Sequence, residues 1–127
     1  MRLRDIVRIL EAQVLTGEDR LDEEVEAACG CDLISDILAF TKARMLVLTG
    51  LVSPQMVRAA EMMDLAAIVF VRGKKPPSDL VGMAREAGLP VLCTSYPLYD
   101  SSGLLFEAGL PGRCARPPRH GGPQDAP

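Results

Sequence analysis

Ala66-Ala67-Ile68-Val69-Phe70-Val71-Arg72-Gly73-Lys74-Lys75-Pro76-Pro77 changes character abruptly at Arg72. Its first half is continuously apolar and rich in β-branched residues. A strand buried on both faces has this composition, because a polar side chain on either face would lose its water without gaining a partner. The run stops in a glycine, three cations and two prolines. That is an exposed turn with positive charge gathered on it.

Two similar runs flank this one. Met45-Leu46-Val47-Leu48-Thr49 ends at Gly50, and Pro90-Val91-Leu92-Cys93 ends at Thr94-Ser95. Val47 to Val69 is 22 residues and Val69 to Leu92 is 23, so each interval has room for one helix. The first helix is announced by Ser53, a favoured N-cap, and Pro54, favoured at the first helical position. Met56, Val57, Ala60 and Met63 form its buried stripe. The second runs from about Ser78 to Ala87, with Leu80, Val81, Ala84 and Ala87 inward and Gly88 as its stop. A β-α-β-α-β run of this kind implies right-handed crossovers and a parallel sheet. A last helix is expected from about Leu98 to Ala108, before Gly109.

The N-terminal third adds less regular elements. Leu3, Ile6, Val7 and Leu10 mark an amphipathic helix, and Gln13–Thr16 a short strand. Val25–Cys31 reads as another strand, with small residues that imply close packing by another element. Asp32 is expected to cap a helix over Leu33–Thr41 whose inner face is Leu33, Ile34, Ile37 and Leu38. The fold class is therefore α/β, a single domain over residues 1–110 with a mainly parallel sheet and flanking helices. Residues 111–127 are rich in Pro, Gly and Arg and are expected to form a disordered tail. The sole histidine, His120, falls in it.

Charge and composition exclude several functions. Residues 1–111 carry 11 basic and 16 acidic side chains, and an acidic body argues against binding nucleic acid. The acidic run Glu18–Glu26 is either a solvated strand entrance or an acidic docking site. No apolar stretch approaches the roughly 20 residues of a membrane span, and the first residues do not resemble a signal peptide. The expectation is a cytoplasmic protein with reduced thiols and no membrane association. Cys29-Gly30-Cys31 supplies two thiolates, whereas a closed zinc or iron–sulfur site needs four ligands. Core packing is the competing explanation for these cysteines and for Cys93. Met62 falls off the helical stripe, at a position suited to an interface.

No phosphate loop, dinucleotide fingerprint or His-bearing metal motif is present, and a nucleophilic triad cannot be built with the sole histidine in the tail. No cofactor and no metal are expected. An enzyme would have to use Asp32, Ser35 and Asp36 with Lys74. A binding site is better founded. In an open parallel sheet, ligands gather beyond the carboxyl ends of the strands. Those ends bring Thr49, Gly50, Arg72, Gly73, Lys74, Thr94 and Ser95 side by side. Exposed backbone N–H groups and cations there suit a small anion, a phosphate or nucleotide. The same residue types also build ordinary strand–helix loops.

The segments Ala67–Pro76 and Ala84-Arg85-Glu86-Ala87-Gly88-Leu89-Pro90-Val91-Leu92-Cys93-Thr94 resemble a DRTGG domain, and are similar to the N-terminal domain of bacterial HPr kinase/phosphatase. The shared features are an apolar strand ending near Arg-Gly, a proline a few residues on, a helix ending Ala-x-x-x-Gly-Leu-Pro, and a strand ending in Thr. Leu3-Arg4-Asp5-Ile6-Val7 and Thr16-Gly17 extend the resemblance over about residues 1–110. The Asp-Arg-Thr-Gly-Gly string itself is absent as a contiguous run; Thr49-Gly50 and Arg72-Gly73 are its nearest pieces. The resemblance implies a fold related to the N-terminal domains of Mur ligases and an accessory role beside enzymes, with a tendency to self-associate. It implies no kinase activity, because the kinase site of such proteins lies in a separate phosphate-loop domain. The expected function is a non-catalytic regulatory or ligand-sensing module acting as a homodimer. The alternative is an adaptor docking onto a metabolic or redox enzyme complex.

Overall fold

A computed structural model describes residues 1–112. Residues 113–127, with Cys114, His120 and most of the expected tail, lie outside the described residues. The chain runs α1 (Leu3–Leu10), β1 (Gln13–Thr16), β2 (Ala28–Gly30), α2 (Ile34–Phe40), β3 (Leu46–Thr49), α3 (Pro54–Met62), β4 (Ala67–Phe70), α4 (Ser78–Glu86), β5 (Val91–Cys93) and α5 (Leu98–Glu107). A single 3-10 turn, Glu18–Arg20, follows β1. The strands form one sheet in the order β1-β5-β4-β3-β2. β2 to β5 are parallel, and β1 closes one edge antiparallel to β5.

β4 is the centre of this sheet, and its pleat explains its uninterrupted apolar run. Ile68 and Phe70 point to one face and pack with Val47, Val91 and the helices α2, α3 and α4. Ala67 and Val69 point to the other and pack with Leu46, Leu48, Leu92 and the helices α1 and α5. The result is three layers with an aliphatic core on each side of the sheet. α3 starts as its sequence dictates, with Ser53 Oγ accepting the Met56 N–H at 3.2 Å ahead of Pro54.

Three local expectations need correction. Asp32 does not cap α2: Leu33 holds the N-cap position, without a side-chain cap bond, and Asp32 turns toward β3 instead. Leu33 and Leu38 are not inner-face residues; Leu33 is 60% exposed, and Ile37 is the fully buried residue of the helix. The reason is the floor beneath α2. β2 is only three residues long at the sheet edge, so it can cover one narrow stripe of the helix. Pro111 and Gly112, expected to belong to the tail, instead lie along β2. Pro111 O accepts the Ala28 N–H at 2.9 Å, and Gly112 pairs with Ala28 along the outer edge of β2. The small residues of β2 do admit a close neighbour: a Cβ on Gly30 would lie 3.2 Å from Leu98 Cδ1 and 3.3 Å from Ser102 Oγ of α5.

The acidic run is a strap tied to the N-terminus. Its backbone bonds Leu3, Arg4 and Met1 through Glu23, Leu21 and Val25. Its carboxylates pair with arginines: Asp22 with Arg4, Glu24 with Arg2, Glu18 with Arg85, and Glu23 with both Arg20 and Arg44. These pairs are largely exposed, with the Glu18, Asp22 and Glu24 side chains 59%, 69% and 66% accessible, so the run is a solvated strap whose charge is matched by nearby arginines.

Candidate functional site

The carboxyl ends of β2, β3, β4 and β5 line one rim of the sheet. The loops after β2, β3 and β4 turn toward the face carrying α2, α3 and α4. The loop after β5 turns the other way, to α5. Adjacent loops therefore diverge between β4 and β5, and a ligand crevice opens at such a place in parallel sheets. A cavity of about 270 Å³ lies there, lined by Glu11, Gln13, Gly73, Lys75, Cys93, Thr94 and Ser95.

The turn after β4 is tight. Arg72 and Gly73 both have positive φ, 64° and 69°, and Lys74 N–H bonds back to Val71 O. Two successive left-handed residues make a turn that glycine accepts readily and arginine only under strain. The backbone N–H groups of Arg72, Gly73 and Lys74 are not free, contrary to expectation. Arg72 N–H donates to Tyr96 O at 2.9 Å and Gly73 N–H to Thr94 O at 2.8 Å, tying the β4 and β5 loops together. What the turn presents is side-chain charge. Arg72, Lys74 and Lys75 are exposed, and Arg72 and Lys75 form no salt bridge among the described residues.

The expected site residues fall into two groups on either side of this turn. Gly73, Thr94 and Ser95 share the crevice with Lys75. Thr94 is buried there, and its hydroxyl donates to Leu10 O at 2.7 Å, so it anchors α1 rather than facing a ligand. Thr49, Gly50 and Lys74 form the second group, joined by Asp32. Thr49 Oγ1 and Gly50 N–H donate to Asp32 Oδ1 at 3.0 and 2.8 Å, and Lys74 Nζ donates to Gly50 O at 3.0 Å. Sequence reasoning missed Glu11 and Gln13 as crevice residues. They arrive from the start of β1, some 80 residues from Cys93, and nothing local signals their approach.

The electrostatics of the crevice are mixed. Tyr96 Oη donates to Glu11 Oε2 at 2.9 Å, and this bond raises the Tyr96 phenol above its ordinary value. Burial pushes the Cys93 thiol up, opposed in part by the Lys75 charge and a hydrogen bond from Gln13. Burial of this kind disfavours the thiolate, which is the nucleophilic form. Asp36 and Ser35 lie on α2 and, among the described residues, form no hydrogen bond with Lys74, Thr49 or Gly50. Among the described residues no three His, Cys, Asp or Glu side chains converge as metal ligands. Cys29 and Cys31 are half-buried at β2.

Residues 5–108 match the model of the DRTGG domain. The chain belongs to the DRTGG domain family. Comparison with the curated proteins gives no match. Among solved structures this DRTGG domain is similar to a regulatory region of Clostridium perfringens pyrophosphatase. That structure contains its CBS and DRTGG domains complexed with the activator diadenosine tetraphosphate. The two share 15% identity at a TM-score of 0.69, over 87% of this chain and 47% of that one. The likeness is one of fold, and the chain spans about half the length of the neighbour. No described helix is long and apolar enough to cross a membrane.

Proposed function

We propose that this DRTGG domain is a non-catalytic regulatory module that senses a small phosphate-bearing ligand, a nucleotide or phosphate, at the crevice between β4 and β5. The observation that carries this is a pair of exposed cation side chains, Arg72 and Lys75, with no salt bridge among the described residues, on the turn where the strand loops diverge. Lys75 and Ser95 supply donors in the crevice and Arg72 stands on the same turn. The Arg72, Gly73 and Lys74 amides are taken up by backbone carbonyls, so the charge offered to a ligand is that of side chains. The neighbour's complex with a dinucleotide activator supports the same ligand chemistry. A non-catalytic role is supported by the commitment of both threonine hydroxyls to the protein and by the burial of Cys93, which disfavours its thiolate.

A thermal-shift titration of the full chain with inorganic phosphate, ADP and diadenosine tetraphosphate tests the reading. A ligand that binds only the folded state raises the melting temperature by mass action. A rise that Arg72→Ala/Lys75→Ala abolishes is expected; no rise with any of the three overturns it.

Self-association as a homodimer belongs to the same reading. Tyr99 and Phe106, 87% and 72% exposed on α5, flank an apolar cavity of about 350 Å³ between α5 and β2. Contiguous exposed apolar surface of this kind marks interaction sites. Those side chains equally favour the second reading, an adaptor that docks on a larger enzyme complex. Light scattering separates them: a dimer mass supports self-association, and a monomer mass at micromolar concentration removes it.

A further inference from the structure

The geometry points to Asp32 as a resident anion that occupies a second phosphate subsite of this domain and sets its affinity. The inference rests on the sensing role proposed above and concerns the other side of the same turn. The cradle consists of the Thr49 hydroxyl, the Gly50 N–H and the Lys74 ammonium, at the carboxyl end of β3 and the adjoining turn after β4. A hydroxyl, a backbone amide and a lysine are the donors that hold a phosphate oxygen. Here one carboxylate oxygen, Asp32 Oδ1, takes the first two.

The position of Gly50 shows how closely the charges converge. A Cβ there would lie 3.7 Å from Lys74 Nζ and 3.8 Å from Asp32 Oδ1. Lys74 bonds the Gly50 carbonyl and makes no salt bridge with Asp32, although both stand beside the same residue. Its ammonium is therefore held at the cradle by a neutral carbonyl. Asp32 itself sits on an exposed loop after β2 and is not needed to start α2, whose N-cap is Leu33. A carboxylate free of a capping duty, reaching across to donors on the next strand, behaves as a stand-in for a ligand anion. A phosphate entering this cradle exchanges with Asp32, and the loop after β2 is released when it does. In this way occupancy near the crevice is passed to the outer edge of the sheet, where α2 exposes Leu33 and Leu38.

The test is an NMR titration of the full chain with inorganic phosphate, for wild type and for Asp32→Asn. The asparagine keeps an acceptor oxygen for Thr49 and Gly50 but removes the competing charge, which at a few ångströms changes phosphate affinity by about tenfold. The expected result is that the Thr49 and Gly50 amides shift in both proteins, with a midpoint about tenfold lower in Asp32→Asn. In wild type the Asp32 side-chain carboxyl carbon should shift with the same midpoint. That signal needs no variant and stands even if Asp32→Asn fails to fold. Shifts at Gly73 and Ser95 without shifts at Thr49, Gly50 or Asp32 overturn the inference and leave the crevice reading standing. An equal or higher midpoint in Asp32→Asn also overturns it, since Asp32 is then only a staple between strands. No shift at either place overturns both.

Discussion

The two rims of this sheet treat their cations in opposite ways. At the amino-terminal rim Arg20 and Arg44 share Glu23, Arg20 also reaches Gly88 O, and Arg85 bonds Glu18 and Leu15 O. At the carboxyl-terminal rim Arg72 and Lys75 have no carboxylate partner among the described residues, and Lys74 bonds a backbone carbonyl. The chain carries more acid than base, so a shortage of carboxylates does not explain the difference. One rim spends its charge on holding loops to the sheet. The other keeps charge available where a crevice opens.

The comparison breaks first on backbone space. Gly17, at the amino-terminal rim, has φ +86°, and a Cβ there would lie 2.6 Å from Pro90 Cβ. Gly17→Ala should combine left-handed strain with a steric clash and cost about 2–4 kcal/mol in denaturant unfolding. Gly73, at the other rim, has φ +69° with nothing within 4 Å of a Cβ. Gly73→Ala should cost only the backbone strain, about 1–2 kcal/mol. Equal losses at the two glycines would show that the amino-terminal rim is no more tightly packed than the other.

A second break uses pH. The Arg20 and Arg44 guanidiniums hold the Glu23 carboxyl down to about 2, well below its ordinary value of 4.5. Because the folded value is the lower one, the stabilisation is complete above about pH 4.5 and is lost as pH falls toward 2. The pair is partly exposed, which screens it, so Glu23→Gln should lose about 1 kcal/mol at pH 7. The variant should also show a shallower loss of stability between pH 4.5 and 2 than wild type, as measured by urea midpoints at each pH. An unchanged pH profile would mean that Glu23 carries no linkage to folding.

A smaller effect sharpens the comparison from the other side. Arg72→Ala and Lys75→Ala remove exposed, unpaired cations and should each change stability by less than about 0.5 kcal/mol. Arg72→Gly should stabilise slightly, by about 0.5–1 kcal/mol, by relieving its positive φ.

Much of this fold was legible because it rests on local pattern. The apolar runs at Leu46–Thr49, Ala67–Phe70 and Val91–Cys93, with helices between them, specify a parallel sheet without knowledge of any contact. Asp32 shows where such reasoning stops. Its place before an apolar run predicts a helix cap, but the residue serves a neighbouring strand 17 residues on. Thr94 is similar: its position at a strand end suggests a ligand hydroxyl, and the hydroxyl goes to Leu10 O, 84 residues away. The amino-terminal pairs Arg44–Glu23 and Arg85–Glu18 span 21 and 67 residues. Local sequence carries propensity and periodicity, while partner choice among like side chains is settled by packing. The basic turn at Arg72–Lys75 was visible because its charge is local. A crevice at the strand ends was expected too, but its wall of Glu11 and Gln13 was not, because it depends on the antiparallel pairing of β1 with β5.

The anion role proposed for Arg72 and Lys75 separates the two rims by affinity. Isothermal titration of ADP into the full chain tests it, with Arg72→Ala/Lys75→Ala and the amino-terminal control Arg44→Ala run alongside. Loss of two charge-assisted contacts should weaken binding at least tenfold in the double variant, with Arg44→Ala unchanged in affinity. Equal weakening in both variants, or ADP binding that survives the double substitution intact, would contradict the account.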